Sequence, residues 1–228
     1  MNSVVRPAEA AGLVLIRRVP KGSAEVLLGR RSRGARFMPG VYVFPGGRLS
    51  AADRRPSGFA ETLAPPPPGL DARTRRGLAV FARAALRETF EETGLLLGAS
   101  AAHSERPDPA GARAAEVWTA FARAGLAPAF GALKLVARAI TPSGSPIRFH
   151  TRFFLADGAA AEGHLAGDGE LDDIRWFPVA ATAALPIAHV TLRVLEEALT
   201  HHGPGAESAQ GARPAALFHW IGPKMWPR

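Results

Sequence analysis

The segment Arg87-Glu88-Thr89-Phe90-Glu91-Glu92-Thr93-Gly94-Leu95 constrains this chain more than any other, because it places carboxylates at i, i+3 and i+4. On a helix those three share one face. A helix is expected here: Asp71 is a suitable N-cap, the apolar spacing runs through Leu86 and Phe90, and Gly94 stands where a helix should end. The opposite side presents Ala82, Leu86 and Phe90 to a core, while Ala84 and Ala85 beside the carboxylates are small enough to let other backbone approach. Glu88 and Glu92 repel each other by roughly 0.2–0.5 kcal/mol on an exposed helix, and by more where they are partly buried. Water relieves that repulsion if the face is simply solvated, which is the ordinary outcome for a run of charge. A hard divalent cation relieves it too, since magnesium takes oxygen ligands and is typically held by one or two carboxylates together with substrate phosphates. Arg87 is a third candidate: pairing with Glu91 four residues on, it would orient the cluster rather than neutralise it.

The rest of the chain supplies the company of that helix. Leu13–Arg18 and Glu25–Arg30 are expected as two strands of a hairpin, joined by Pro20-Lys21-Gly22-Ser23. Val41–Phe44 is β-branched and aromatic and runs into Pro45-Gly46-Gly47, where the backbone can turn tightly. Residues 54–70 lose all periodicity and carry the tract Pro65-Pro66-Pro67-Pro68-Gly69, so they are expected as an inserted loop. Downstream, strands are expected at Leu95–Leu97, Lys134–Ile140, Arg148–Ala156 and Ile174–Phe177, and helices at Ala114–Ala124 and Val190–Leu199. Residues 201–228 are expected as a tail.

Composition excludes several classes. With 228 residues, 47% of them apolar and 21% charged, the chain is long enough for one well-cored α/β domain and is far from the disordered regime. No cysteine is present, which rules out disulfides and thiolate metal sites and leaves oxygen or imidazole for any metal. No apolar run reaches the roughly 20 residues of a membrane span. Gly12–Ile16 is followed at once by Arg17-Arg18 without a cleavage site, so a cytoplasmic, membrane-free protein is expected. The net charge of +8 is almost entirely arginine, with lysine only at positions 21, 134 and 224. The basic residues are scattered, not striped, and aromatic residues are not interleaved with them, which argues against a nucleic-acid surface and for attraction of phosphorylated small molecules. Arg148–Phe154 does alternate basic and aromatic residues, but so does any half-buried strand.

Taken together, Gly47, Arg87-Glu88, Glu91-Glu92 and Gly94-Leu95 resemble the two halves of the Nudix hydrolase box. Asp53 stands where the family has glutamate, Thr89 fills an apolar position, and residues 54–86 separate halves that are normally close. A split box of this kind resembles the branch containing the peroxisomal coenzyme A diphosphatases, although the chain ends in Trp226-Pro227-Arg228 and not in a peroxisomal tripeptide.

The resemblance implies an α/β/α sandwich with a mixed sheet: one domain over residues 1–228, an insertion at 54–82 within the box and the tail at 201–228. It implies that Glu88, Glu91 and Glu92 bind magnesium or manganese, that Arg87 holds the glutamates, and that Gly46 and Gly47 bring the loop to the helix and the substrate. It also implies a further glutamate before a Trp-bearing strand. Glu170 is the nearest match, with Glu162, Asp172 and Asp173 as rivals and a plain polar turn at Gly167-Asp168-Gly169 as the bland reading.

The expected catalytic set is therefore Glu88, Glu92, Arg87 and Glu170. Arg30, Arg31 and Arg36 are candidates for the substrate phosphates, and Phe37, Tyr42 and Trp176 for stacking. The expected reaction is hydrolysis of a pyrophosphate bond in a nucleoside diphosphate derivative, with coenzyme A as the leading member. The alternatives are a Nudix fold kept as a silent ligand-binding or regulatory module, and an RNA or nucleotide cap hydrolase. A homodimer is compatible with all three.

Overall fold

The computed structural model describes residues 5–19, 23–101, 116–167, 169–202 and 214–219. In chain order its strands are β1 (Ala8–Arg18), β2 (Ala24–Arg31), β3 (Tyr42–Val43), β4 (Gly46–Arg48), β5 (Leu96–Ser100), β6 (Leu126–Pro128), β7 (Lys134–Ile140), β8 (Phe149–Asp157), β9 (Ala161–Glu162), β10 (Leu171–Pro178) and β11 (Ala216–His219). The helices are α1 (Ala72–Thr93), α2 (Glu116–Ala124) and α3 (His189–Thr200). The large sheet has the order β10-β2-β1-β8-β7-β11, with β3 added to β2 and β4 to β1. It is mixed, as expected: β1 runs parallel to β8 and β11 parallel to β7, while the other pairs are antiparallel. A small second sheet, β6-β5-β9, flanks it.

The apolar run Leu13–Ile16 is buried on both sides because both faces of the sheet are covered. Leu13, Leu15 and Leu27 pack with α1 and α2 residues such as Ala82, Leu86, Trp118 and Phe121. Val14, Ile16, Val26 and Leu28 pack with Val194, Leu195 and Ala198 of α3. The result is the α/β/α sandwich, with alternation along each central strand feeding two cores.

Helix α1 starts and stops where its caps dictate. Asp71 accepts a hydrogen bond from the Thr74 amide at 2.8 Å, and Gly94 follows the last turn with φ 74°, its amide on the Phe90 carbonyl at 2.8 Å. The carboxylate side of the helix, expected to carry a site, is itself largely enclosed, because Arg83, Arg87, Thr89, Glu92 and Thr93 are buried as well as its apolar residues. The insertion at 54–82 contributes to the core. Its last part, from Ala72, is already helix, and Phe59, Leu63 and Leu70 pack into the core that α1 covers. Within the expected tail, residues 216–219 add β11 to the sheet edge. Pro20–Gly22 of the expected hairpin turn, Ala114 and Ala115 of the expected second helix, Asp168 and Trp226–Arg228 lie outside the described residues. Among the described residues, no helix is long and apolar enough to cross a membrane.

Candidate active site

The two halves of the split motif meet despite the residues between them. The Gly46 amide donates to Glu92 Oε2 at 2.7 Å, and a methyl group in place of a Gly47 hydrogen would lie 2.5 Å from the Glu88 carboxylate. Gly47 thus leaves room for the loop-to-helix approach expected of it, and a side chain there would have to displace the Glu88 carboxylate. Strand β4 carries both glycines alongside Gly12 and Ala11 of β1, so the box loop is anchored to the central sheet.

Arg87 is the hub. Its Nε and Nη2 grip Asp53 in a two-point pair at 2.8 and 2.9 Å, Nη2 also reaches Glu88 at 2.8 Å and the Arg48 carbonyl at 3.1 Å, and Nη1 reaches Glu91 at 2.6 Å. Burial opposes the guanidinium charge, but Asp53, Glu88 and Glu91 more than offset it and hold the pKa above its ordinary value. Asp53, at the position where the family has glutamate, is 2% exposed and accepts the Ser50 amide at 2.7 Å. Arg87 therefore orients the cluster and is not free to meet a phosphate.

The carboxylates differ. Burial lifts the Glu88 pKa to about 7 against the pull of Arg87. Burial also drives Glu92 well above the carboxylate range, helped by the charges of Glu88 and Glu170 and resisted by the Gly46 amide and Arg31. Glu91 is tied to Arg87 with its side chain 39% exposed. Among the described residues, no three acid or histidine side chains converge in metal-holding geometry. Of the expected Glu88–Glu91–Glu92 set, Glu92 is bonded to the glycine loop, Glu91 to Arg87, and Glu88 lies between them, against Gly47 and paired with Arg87. The donor set is nonetheless all oxygen, and the excess of carboxylate over cation in a buried place is what a hard divalent ion relieves.

Of the three carboxylates on α1, Glu88 lines a cleft of about 1220 Å³, and Glu91 and Glu92 do not. Glu88, Gly46, Gly47, Arg48, Arg31 and Glu170 line one part of it, and Phe37, Phe44, Ile140, Phe149, Phe153 and Phe218 give the other an apolar wall. Of the rival acids, Glu162 pairs with β5 in β9, Asp172 faces Arg30 across β10 and β2, and Asp173 accepts from Tyr42 and Arg175; none lines the cleft. Glu170 does. Of the three expected phosphate arginines only Arg31 lines it, held by a 2.8 Å bond from Nε to the Phe37 carbonyl, while Arg30 and Arg36 do not. Phe37 lines the cleft, whereas Tyr42 is buried against Phe177 and Trp176 lies beneath Arg17, so neither of the latter is placed to stack on a ligand there.

Arg48, His189 and Arg193 at the cleft were not foreseen, nor were the buried Arg83, which donates to the Asp53 carbonyl at 2.7 Å, and its ion pair with Glu61. The alternation in β8 was the missed signal: Phe149, Thr151 and Phe153 face the cleft, and Arg152 lies over the Phe81 ring instead.

No protein-family model matches the chain. A NUDIX hydrolase from Alicyclobacillus acidocaldarius, solved by crystallography, superposes with a TM-score of 0.68 at 30% identity, over 97% of this chain and 100% of that one. The acyl-coenzyme A diphosphatase NUDT19 of Gallus gallus is 38% identical over an alignment covering 32% of this chain and 25% of that protein. The chain therefore spans about a quarter of the length of that curated relative.

Proposed function

Because the chain belongs to the Nudix hydrolase family, we propose that it hydrolyses the pyrophosphate bond of a nucleoside diphosphate derivative bearing an apolar substituent, of the acyl-coenzyme A kind, with magnesium or manganese. The observation that carries this reading is the junction of two surfaces in one cleft. Partly buried Glu88, lying against the Gly46-Gly47 loop, lines the same cleft as Phe37, Phe44, Phe149, Phe153 and Phe218. A substrate with a diphosphate and an apolar arm has a partner for each end.

Glu88 and Glu92, with Glu91 if it is released from Arg87, are the residues that would hold the cation. Bound there, the ion would screen phosphate charge and raise the acidity of water. Arg31 and Arg48 bind the phosphate oxygens, replacing their hydration with directed N–H donors. Glu170 takes a proton from the attacking water. A phosphorus–oxygen bond then forms to that water as the bridging bond breaks, and the leaving phosphate carries away the electron pair. Arg87 holds Glu88 and Asp53 in place throughout, and the apolar wall excludes competing water.

The test incubates the purified protein and magnesium with acyl-coenzyme A, coenzyme A, ADP-ribose, NADH, dinucleoside polyphosphates and a capped RNA, and follows the phosphorylated products. Faster turnover of the acyl form than of coenzyme A is the expected result. Glu92→Gln should lower kcat by about 10²-fold or more while leaving the fold intact. Full activity in that variant would remove Glu92 from the site, and binding of a ligand without any turnover would favour the silent-module reading.

A further inference from the structure

Glu170 lines the cleft immediately before the start of β10, and β10 is irregular. Asp172 pairs with Arg30 and Arg175 with Leu28, so two residues, Asp173 and Ile174, oppose Gly29 alone. This is a β-bulge, a device that re-aims side chains at strand ends. Two features make room for it. A Cβ on Gly29 would lie 2.7 Å from Leu171 Cδ1 and 3.2 Å from Ile174 Cγ1, so both apolar residues crowd the space that Gly29 leaves empty. Asp173 takes the left-handed conformation at φ 46°, a region that aspartate visits more readily than most non-glycine residues when its carboxylate is hydrogen-bonded.

Tyr42 bonds that carboxylate. β3 and β10 lie on opposite edges of β2, and the Tyr42 hydroxyl crosses β2 to donate to Asp173 Oδ2. The other partner of that carboxylate, Arg175, is 59% exposed at its side chain and contacts Oδ1 at 3.2 Å, a weak anchor in water. Tyr42 is 5% exposed, its ring edge-on to Phe177 at 5.0 Å between centroids. It also belongs to the strand that leads through Phe44 into Gly46-Gly47, while Asp173 belongs to the strand that begins one residue after Glu170. One hydrogen bond thus ties the strand entering the box loop to the strand leaving Glu170. The Ser32 amide, bonded to the Glu170 carbonyl at 3.1 Å, completes the frame from the end of β2.

We propose that Tyr42 is a positioning residue: its hydroxyl, bound to Asp173, holds the β10 bulge in register so that Glu170 keeps its place in the lining of the cleft. The proposal rests on the reading of Glu170 as the proton acceptor. Tyr42 touches no reacting atom. Its effect is geometric, and misplacing a catalytic group by about 1 Å can cost about 10²-fold in rate.

The experiment measures Tyr42→Phe, which keeps the ring and its packing and removes only the hydroxyl. The expected result is a fall in kcat of about tenfold or more with KM within about twofold. Asp173→Asn, which keeps an acceptor and tolerates φ > 0, should retain most of the kcat that Asp173→Ala loses. In a Glu170→Gln background, Tyr42→Phe should cost nothing further, because the group it positions is gone.

Hydrogen exchange supplies a readout independent of turnover: peptides covering residues 169–175 should exchange faster in Tyr42→Phe while α1 peptides do not change. Unchanged kcat in Tyr42→Phe, an equal loss in the Glu170→Gln background, or unchanged exchange at 169–175 would each overturn the proposal. If the wild-type protein turns over none of the diphosphates, the functional reading fails on its own account, and the exchange experiment still decides whether Tyr42 holds the bulge.

Discussion

Two buried arginines make an instructive pair. Arg87 and Arg152 are almost equally hidden, at 7% and 6% exposed. Around Arg87 stand Asp53, Glu88, Glu91 and the Arg48 carbonyl, and its pKa rises. Arg152 has Glu9, whose side chain is 44% exposed, the His150 carbonyl and the face of Phe81, while its Nε has no partner among the described residues and burial lowers its pKa to about 10. Burial penalises both charges alike, so what separates them is the number of acids gathered round. An excess of carboxylate packed round one cation marks a place prepared for more positive charge. A cation leaning on a ring with one wet partner marks a long side chain filling space.

The largest test of that contrast is Arg87→Met. It would leave Asp53 buried with no counter-ion and release Glu88 and Glu91 to repel each other. Removal of one partner from a buried pair typically costs about 3–5 kcal/mol, and that loss should register in the urea midpoint of the metal-free protein, together with loss of hydrolysis. A midpoint within measurement error of wild type would mean that Asp53 finds another donor and that Arg87 is not the hub.

Much of this region was legible in sequence, and the reasons are local. The caps Asp71 and Gly94 bound α1 because capping depends on a few adjacent residues. The Lys134–Ile140 strand stands as expected because its apolar pattern is continuous. Glu91 pairs with Arg87 because four residues make one helical turn. What was hidden is non-local. Gly46 and Gly47 have no side chains to reveal that β4 pairs with β1. Ala216–His219 is too short a run to announce a parallel partner in β7 far upstream. The counting that placed Asp53 in the motif said nothing of its two-point bond to a residue on α1. The cleft wall draws on β3, β8, the loop after β7 and β11, and no single window of sequence contains it.

A smaller effect, in pH, sharpens the same contrast. Glu88 titrates at about 7 in the fold against an ordinary 4.5. A carboxyl with a raised folded pKa favours the native state most below its unfolded value, and that contribution is lost as pH climbs through the folded value. Without metal, stability should therefore fall by an amount on the order of a few kcal/mol between pH 4.5 and 8, with buried Glu92 adding to the same trend. Magnesium favours the ionised carboxylates, so its stabilisation should grow across that interval. Thermal midpoints taken from pH 5 to pH 8 with and without magnesium chloride check it, and parallel curves would show that the surplus negative charge beside Arg87 is not a cation site.

The smallest expected change is at the other arginine. Arg152→Met keeps a long apolar stem against Phe81, removes a charge that burial already disfavours, and eliminates the unpartnered Nε. Glu9, already partly in water, can rehydrate. Replacing a poorly compensated buried charge by a hydrophobe of similar shape is often neutral or stabilising, so the urea midpoint should move by no more than the equivalent of about 1 kcal/mol in either direction and the magnesium response should be unaltered. If this variant were as damaging as Arg87→Met, burial and not the company of carboxylates would govern both sites. The inference from a carboxylate-crowded arginine to a cation-binding cleft would then lose its footing.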